Sequence, residues 1–171
     1  MRRLTPLAVL GLWSALALLV QRWATIADGI REQYAYDTRF YEVISRAAPS
    51  FPDDRVLRPY AERFPVHWLV GTIADLTGAP LESVYRAATI ACVAAAVLLT
   101  HAAIRTLRLD ARAHAVALGL LAASAYPLHY LLAAPGMVSD ALFLAGLAAM
   151  LLGFVRGRLA LVLLGLGAAS K

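Results

Sequence analysis

Apolar runs of near-membrane length constrain this chain more than any motif in it. A helix crossing a hydrocarbon core of about 30 Å needs roughly 20 apolar residues, because each residue rises about 1.5 Å. Residues 4–23, 84–104, 113–133 and 139–155 reach or approach that length, and a fifth run starts at Leu159 and is still apolar at Lys171. With 61% hydrophobic and 16% charged residues, the balance lies outside that of a soluble domain. The fold class expected is all-α: a polytopic transmembrane bundle of four complete helices plus a truncated fifth over 159–171. The whole chain, 1–171, then reads as a single transmembrane domain that is incomplete at its carboxyl end, with residues 24–83 as a partly helical outer loop.

Arginine placement predicts the orientation. With Arg2 and Arg3 in the cytoplasm, four crossings bring Arg105, Arg108 and Arg112 into one short cytoplasmic loop and Arg156 and Arg158 into the next. The opposite loop, 134–138, carries no charge. Arg22 and Arg86 count against this scheme, although long side chains at helix ends snorkel to the headgroups. Trp23, Tyr85 and Tyr130 fall at the outer boundary, where amphipathic rings collect. A secretory signal peptide is the competing reading of residues 1–23. Its apolar core would be too long, and Gln21-Arg22-Trp23 is a poor approach to a cleavage site.

The polar chemistry is concentrated in the outer loop. Nine of the eleven acids lie there with six arginines, so the net charge of +5 comes from the cytoplasmic edges. That charge reads as topology and not as nucleic-acid binding. Residues 31–48 alternate polar and apolar positions at a helical period, and prolines 49, 52, 59 and 65 then cut the chain into short pieces. The stretch from His67 to Leu76 is too short to cross and stops at Thr77-Gly78-Ala79-Pro80, so it either lies on the outer membrane surface or folds back on the bundle.

A first membrane helix, followed by Tyr36-Asp37-Thr38-Arg39-Phe40-Tyr41, then Arg55-Val56-Leu57-Arg58-Pro59-Tyr60 and Arg63-Phe64-Pro65, resembles the amino-terminal part of GT-C-type glycosyltransferases. These are polytopic enzymes that use polyprenyl-phosphate sugars. The resemblance covers roughly the first 140 residues and implies a bacterial plasma-membrane enzyme acting on the extracytoplasmic side, with membrane lipid and the lipid-linked sugar as partners. It implies that Asp37 serves as general base, or helps to bind a divalent cation or the acceptor. Thr38 stands where such enzymes commonly have glycine, and no second acid adjoins Asp37.

The reaction asks for the same residue types. Moving a sugar from a lipid phosphate to a hydroxyl needs a group to take the acceptor proton, and a carboxylate near a low-dielectric boundary can be tuned for that task. The phosphate leaving group needs cations, for which the planar fork of arginine is suited. Arg39, Arg55, Arg58 and Arg63 are the available arginines, joined by Lys171. Tyr41 and Tyr60, with Tyr36 and Phe40, offer aromatic faces to a sugar or an isoprene chain. Asp140, in Pro135-Gly136-Met137-Val138-Ser139-Asp140, falls near the outer end of the fourth run, either as part of a donor groove or, with Ser139, as a helix N-cap.

Other chemistries lack a signature. No Gly-x-Gly-x-x-Gly or Gly-Lys-Ser/Thr loop is present for a soluble nucleotide sugar, and no two histidines have metal-ligand spacing. The single cysteine, Cys92, lies in a membrane run, so no disulfide forms within the chain. The competing functional class is a non-enzymatic membrane protein whose outer loop binds a partner protein or lipid headgroups. A transporter is disfavoured by the near absence of charge inside the runs.

Overall fold

A computed structural model describes residues 8–9, 11–15, 28–52, 63–123 and 135–169. All regular structure among them is helical. Residues 8–9 and 11–15 are helical, and Val9 and Trp13, one turn apart, are buried. The helices with defined bounds are α1 (Asp28–Ala47), α2 (Phe64–Thr77), α3 (Leu81–Thr106), α4 (Ala111–Ala123), α5 (Val138–Arg156) and α6 (Leu159–Ala169). A single 3-10 turn, Pro135–Met137, leads into α5.

Local sequence explains the boundaries. Pro65 sits in the first turn of α2, where its missing N–H costs no helical bond. Gly78 ends that helix in the left-handed region at φ 66°. Pro80 then precedes α3, which carries Glu82 in its first turn and Arg105 in its last, the arrangement that complements the helix dipole. Gly157, at φ 63°, closes α5 and turns the chain into α6.

Two helices, α3 and α5, are long and apolar enough to cross a membrane. They contain the runs 84–104 and 139–155, α3 extending its run by three and two residues and α5 by one at each end. Each buries fewer than half the residues of its most apolar window inside the protein. Ile90, Leu147, Leu151 and Phe154 face outward, an exposed apolar surface that a bilayer would solvate. Of the run 113–133, residues up to Ala123 belong to α4 and 124–133 lie outside the described residues. The run 4–23 is described only at the helical residues already named.

α3 and α5 lie side by side and point the same way. Tyr85 meets Val138 at one end, Ala96 packs with Ala145 and Ala148 in the middle, and Arg156 Nε donates to Thr106 Oγ1 at the other end, 3.2 Å away. Alanines at the midpoint let the two backbones approach closely. α6 returns antiparallel along α5. A Cβ on Gly146 would press on the carbonyl of Gly165, and one on Gly153 would press on Val162. The small residues at 146 and 153 therefore serve helix packing, as their spacing on one face suggests.

The apolar stretch 67–76 folds back against the bundle. α2 buries His67, Val70 and Gly71, with Val70 joining Tyr85 and Val138 in one core cluster. Its other face leaves Leu69, Ile73 and Leu76 exposed.

Candidate functional site at the amino-terminal ends of the two long helices

Five segments meet where α3 and α5 begin: α1, α2, the start of α3, the 3-10 turn and the start of α5. α1 reaches this junction because Gly71 and Gly136 carry no side chain. A Cβ on Gly71 would collide with the backbone carbonyl of Ser45, and one on Gly136 would collide with the side chain of Thr38.

A buried polar chain runs through the junction. Ser45 Oγ lies 2.8 Å from the carbonyl of His67, 3.2 Å from the carbonyl of Tyr41 and 2.5 Å from the hydroxyl of Tyr85. The Tyr85 hydroxyl lies 2.8 Å from His67 Nδ1. The imidazole is fully buried and stacks on the Tyr41 ring, with centroids 3.9 Å apart and planes 7° from parallel.

Counting hydrogens fixes their direction. Ser45 has one hydroxyl hydrogen and gives it to the His67 carbonyl. Tyr85 then donates to Ser45 Oγ, and His67 Nδ1–H donates to Tyr85. This arrangement satisfies the three shortest contacts and leaves only the longer one to the Tyr41 carbonyl without the hydrogen, whereas the reverse order leaves the His67 carbonyl without Ser45 and buries an N–H at Nε2. Nε2 has no hydrogen-bond partner among the described residues, so it holds a lone pair. Burial, with the Arg63 guanidinium adding to it, pushes the His67 pKa down to about 3, and the ring is neutral at physiological pH.

Above this chain lies a partly buried charged layer. Arg63, at the N-cap of α2, donates from Nη1 to Tyr41 Oη at 3.0 Å and to Ser139 Oγ at 3.4 Å, and meets Asp140 Oδ1 at 3.2 Å. Arg63 thereby ties α1, α2 and α5 together. Helix α5 begins at Val138 with Met137 as N-cap and no side-chain cap, which corrects the expectation that Ser139 or Asp140 caps it. Both fall inside the first turn, and Asp140 spends its carboxylate on Arg63 while still complementing the helix dipole.

The residues singled out from sequence separate into three groups. Tyr41 and Asp140 come together through Arg63. Tyr41 is 3% exposed, and one ring face is taken by His67. Arg39 is exposed on α1, and Asp37 lies on the same helix, one turn before Tyr41, with its side chain outside the described residues. Arg55, Arg58, Tyr60 and Lys171 lie outside the described residues altogether. No three of His, Cys, Asp or Glu gather among the described residues, and Asp140 is held by Arg63.

Sequence reasoning missed the roles of Ser45 and His67 and placed Tyr85 as a boundary ring, whereas its side chain is buried between them. Their partners lie 18 to 40 residues apart, beyond the reach of any local spacing rule. The one available signal was a histidine in an otherwise apolar stretch, which has to find a polar partner when buried. Compared with known protein families, with curated proteins and with solved structures, the chain finds no match.

Proposed function

We propose that the chain is the amino-terminal portion of a GT-C-like membrane glycosyltransferase that takes a sugar from a polyprenyl-phosphate donor on the extracytoplasmic side of a bacterial plasma membrane, its own amino terminus being cytoplasmic. The observation that carries this reading is the packing of Thr38 on Gly136 at the entrance to α5. Thr38 adjoins Asp37, so that stretch of α1 sits level with the starts of both long helices. A lipid-linked sugar has its phosphate and sugar at that level, between hydrocarbon and water.

In this reading Asp37 takes the acceptor hydroxyl proton as the bond to the sugar's anomeric carbon forms and the bond to the lipid phosphate breaks. Arg39, Arg55, Arg58 and Lys171 are the cations for the departing phosphate, and Tyr60 is an aromatic surface for sugar or isoprene. Arg63, Tyr41 and Asp140 hold the loop onto the bundle and so fix where α1 lies.

One observation favours a second reading, in which the protein is not an enzyme and its outer loop binds a partner protein or headgroups. Arg63 is engaged by Asp140, Tyr41 and Ser139, and the histidine beneath is sealed from solvent, an arrangement that serves cohesion as well as catalysis.

The two readings separate on Asp37→Asn, assayed for transfer from a polyprenyl-phosphate sugar in membranes from cells expressing the complete reading frame. The transferase reading expects a fall of about 10²- to 10⁴-fold, the usual worth of a positioned base, with unfolding unchanged. Transfer equal to wild type would remove Asp37 from the chemistry.

A further inference from the structure

The opposite end of the α3–α5 pair carries a marked excess of positive charge among the described residues. Arg105 and Arg108 end α3, Arg112 starts α4, and Arg156 and Arg158 flank the turn from α5 to α6. All five are exposed. Asp110 is the only described acid at this end, and its Oδ1 accepts the backbone N–H of Ala113 at 2.7 Å, capping α4. None of the five arginines has an ion-pair partner among the described residues.

These arginines form two groups on either side of one seam. Arg105, Arg108 and Arg112 belong to the α3–α4 turn, and Arg156 and Arg158 belong to the α5–α6 turn. The bond from Arg156 to Thr106 brings the two turns together. Arg108 adopts φ 55°, a left-handed conformation rarely taken by a residue other than glycine, asparagine or aspartate, where the chain turns out of α3. Among the described helices, α3 and α5 are the two long and apolar enough to cross a membrane, and in a spanning arrangement their shared carboxyl end would fall at headgroup depth.

We propose that this seam binds a membrane phospholipid carrying two phosphodiester groups, one facing the α3–α4 arginines and the other the α5–α6 arginines. The recognition chemistry is arginine to phosphate, with the guanidinium forks donating to non-bridging oxygens. Two anionic groups tethered in one molecule engage both turns for a single loss of translational freedom, which a single-phosphate lipid cannot match. The occupant is the lipid rather than soluble phosphate, because Leu107, Phe154 and Leu159 are exposed beside these arginines and give acyl chains a surface. The inference does not depend on the transferase reading.

The test uses the full chain in nanodiscs of phosphatidylcholine, titrated with tetraoleoyl cardiolipin or with phosphatidylglycerol at equal phosphate, and bound lipid is counted by native mass spectrometry. Cardiolipin is expected to bind about tenfold more tightly than phosphatidylglycerol, and Arg105→Gln or Arg156→Gln each to weaken it roughly fivefold, the share of one arginine near an anionic surface. Arg46→Gln and Arg86→Gln, at the other end and each paired with a glutamate one turn away, should leave binding unchanged. Equal affinity for the two lipids, or equal losses from the two ends, would overturn the proposal. Full competition by inorganic phosphate at matched concentration would overturn it in favour of a soluble-anion site. Should Arg156→Gln unfold the chain, a salt titration of wild type serves instead: the cardiolipin preference must fall as screening rises, and a salt-independent preference counts against arginine–phosphate recognition.

Discussion

Arg63 and Asp140 meet at 3.2 Å with each side chain only 21% exposed, joining the N-cap of α2 to the first turn of α5. A pair this sheltered falls between exposed pairs, worth little, and buried ones, where a widowed charge is costly. Asp140→Asn and Arg63→Met should each destabilise by about 1–3 kcal/mol, with a coupling near 1 kcal/mol in a double-mutant cycle. Unfolding in detergent of the two single variants and the double variant checks this. Strict additivity would mean that the pair is incidental.

Gly71→Ala should be among the most damaging single-methyl changes in the chain. Its Cβ would collide with the Ser45 backbone, which cannot rotate away as a side-chain tip could. A loss of about 3 kcal/mol is expected from such overpacking, read as a lower unfolding midpoint. Gly78→Ala supplies the contrast, since it has open space and is limited only by its left-handed backbone, at about 1 kcal/mol.

His67 makes stability depend on pH in one direction. Its folded pKa of about 3 lies below its ordinary 6.5, so the unfolded chain binds the proton more readily between those values. The histidine's contribution is complete above about pH 6.5 and declines as pH falls toward 3, by up to about 1.4 kcal/mol per unit. Unfolding midpoints between pH 4 and 8 should slope more steeply below 6.5 in wild type than in His67→Gln. Parallel curves would show that the ring is not neutral and buried as described.

The hydrogen count at the same residue predicts a spectroscopic result. Nitrogen-15 spectra of His67 should show Nδ1 protonated and Nε2 bare across the physiological range. Tyr85→Phe removes the group that accepts from Nδ1 and donates to Ser45, and should cost about 1–3 kcal/mol while releasing the tautomer preference. A wild-type ring protonated at Nε2 would reverse the whole chain of donors.

Lengths and stops were legible in the sequence, and meetings were not. The cores of α3 and α5 follow from apolar run length, and the end of α2 follows from Gly78 and Pro80, because one-dimensional spacing determines these features. The start of α5 departs from the expected cap because the 3-10 turn at Pro135–Met137 advances the helix, carrying Ser139 and Asp140 past the cap position. The Ser45–Tyr85–His67 chain and the Arg63 junction depend on segments brought together only by tertiary packing. Tyr41 illustrates the limit: its aromatic character suggested a surface for substrate, and the fold uses it as a buried stacking partner for an imidazole.

The parallel course of α3 and α5 has a kinetic consequence. Antiparallel neighbours such as α5 and α6 are joined by the two-residue turn Gly157-Arg158 and can zip as soon as both have been synthesised. Parallel neighbours have no such short turn, because Thr106 and Pro135 stand at opposite ends of the pair and 28 residues separate them in sequence. On loop closure alone, the glycine-lined α5–α6 hairpin is expected to form more readily than the alanine seam between α3 and α5, whose partners stand much farther apart in sequence.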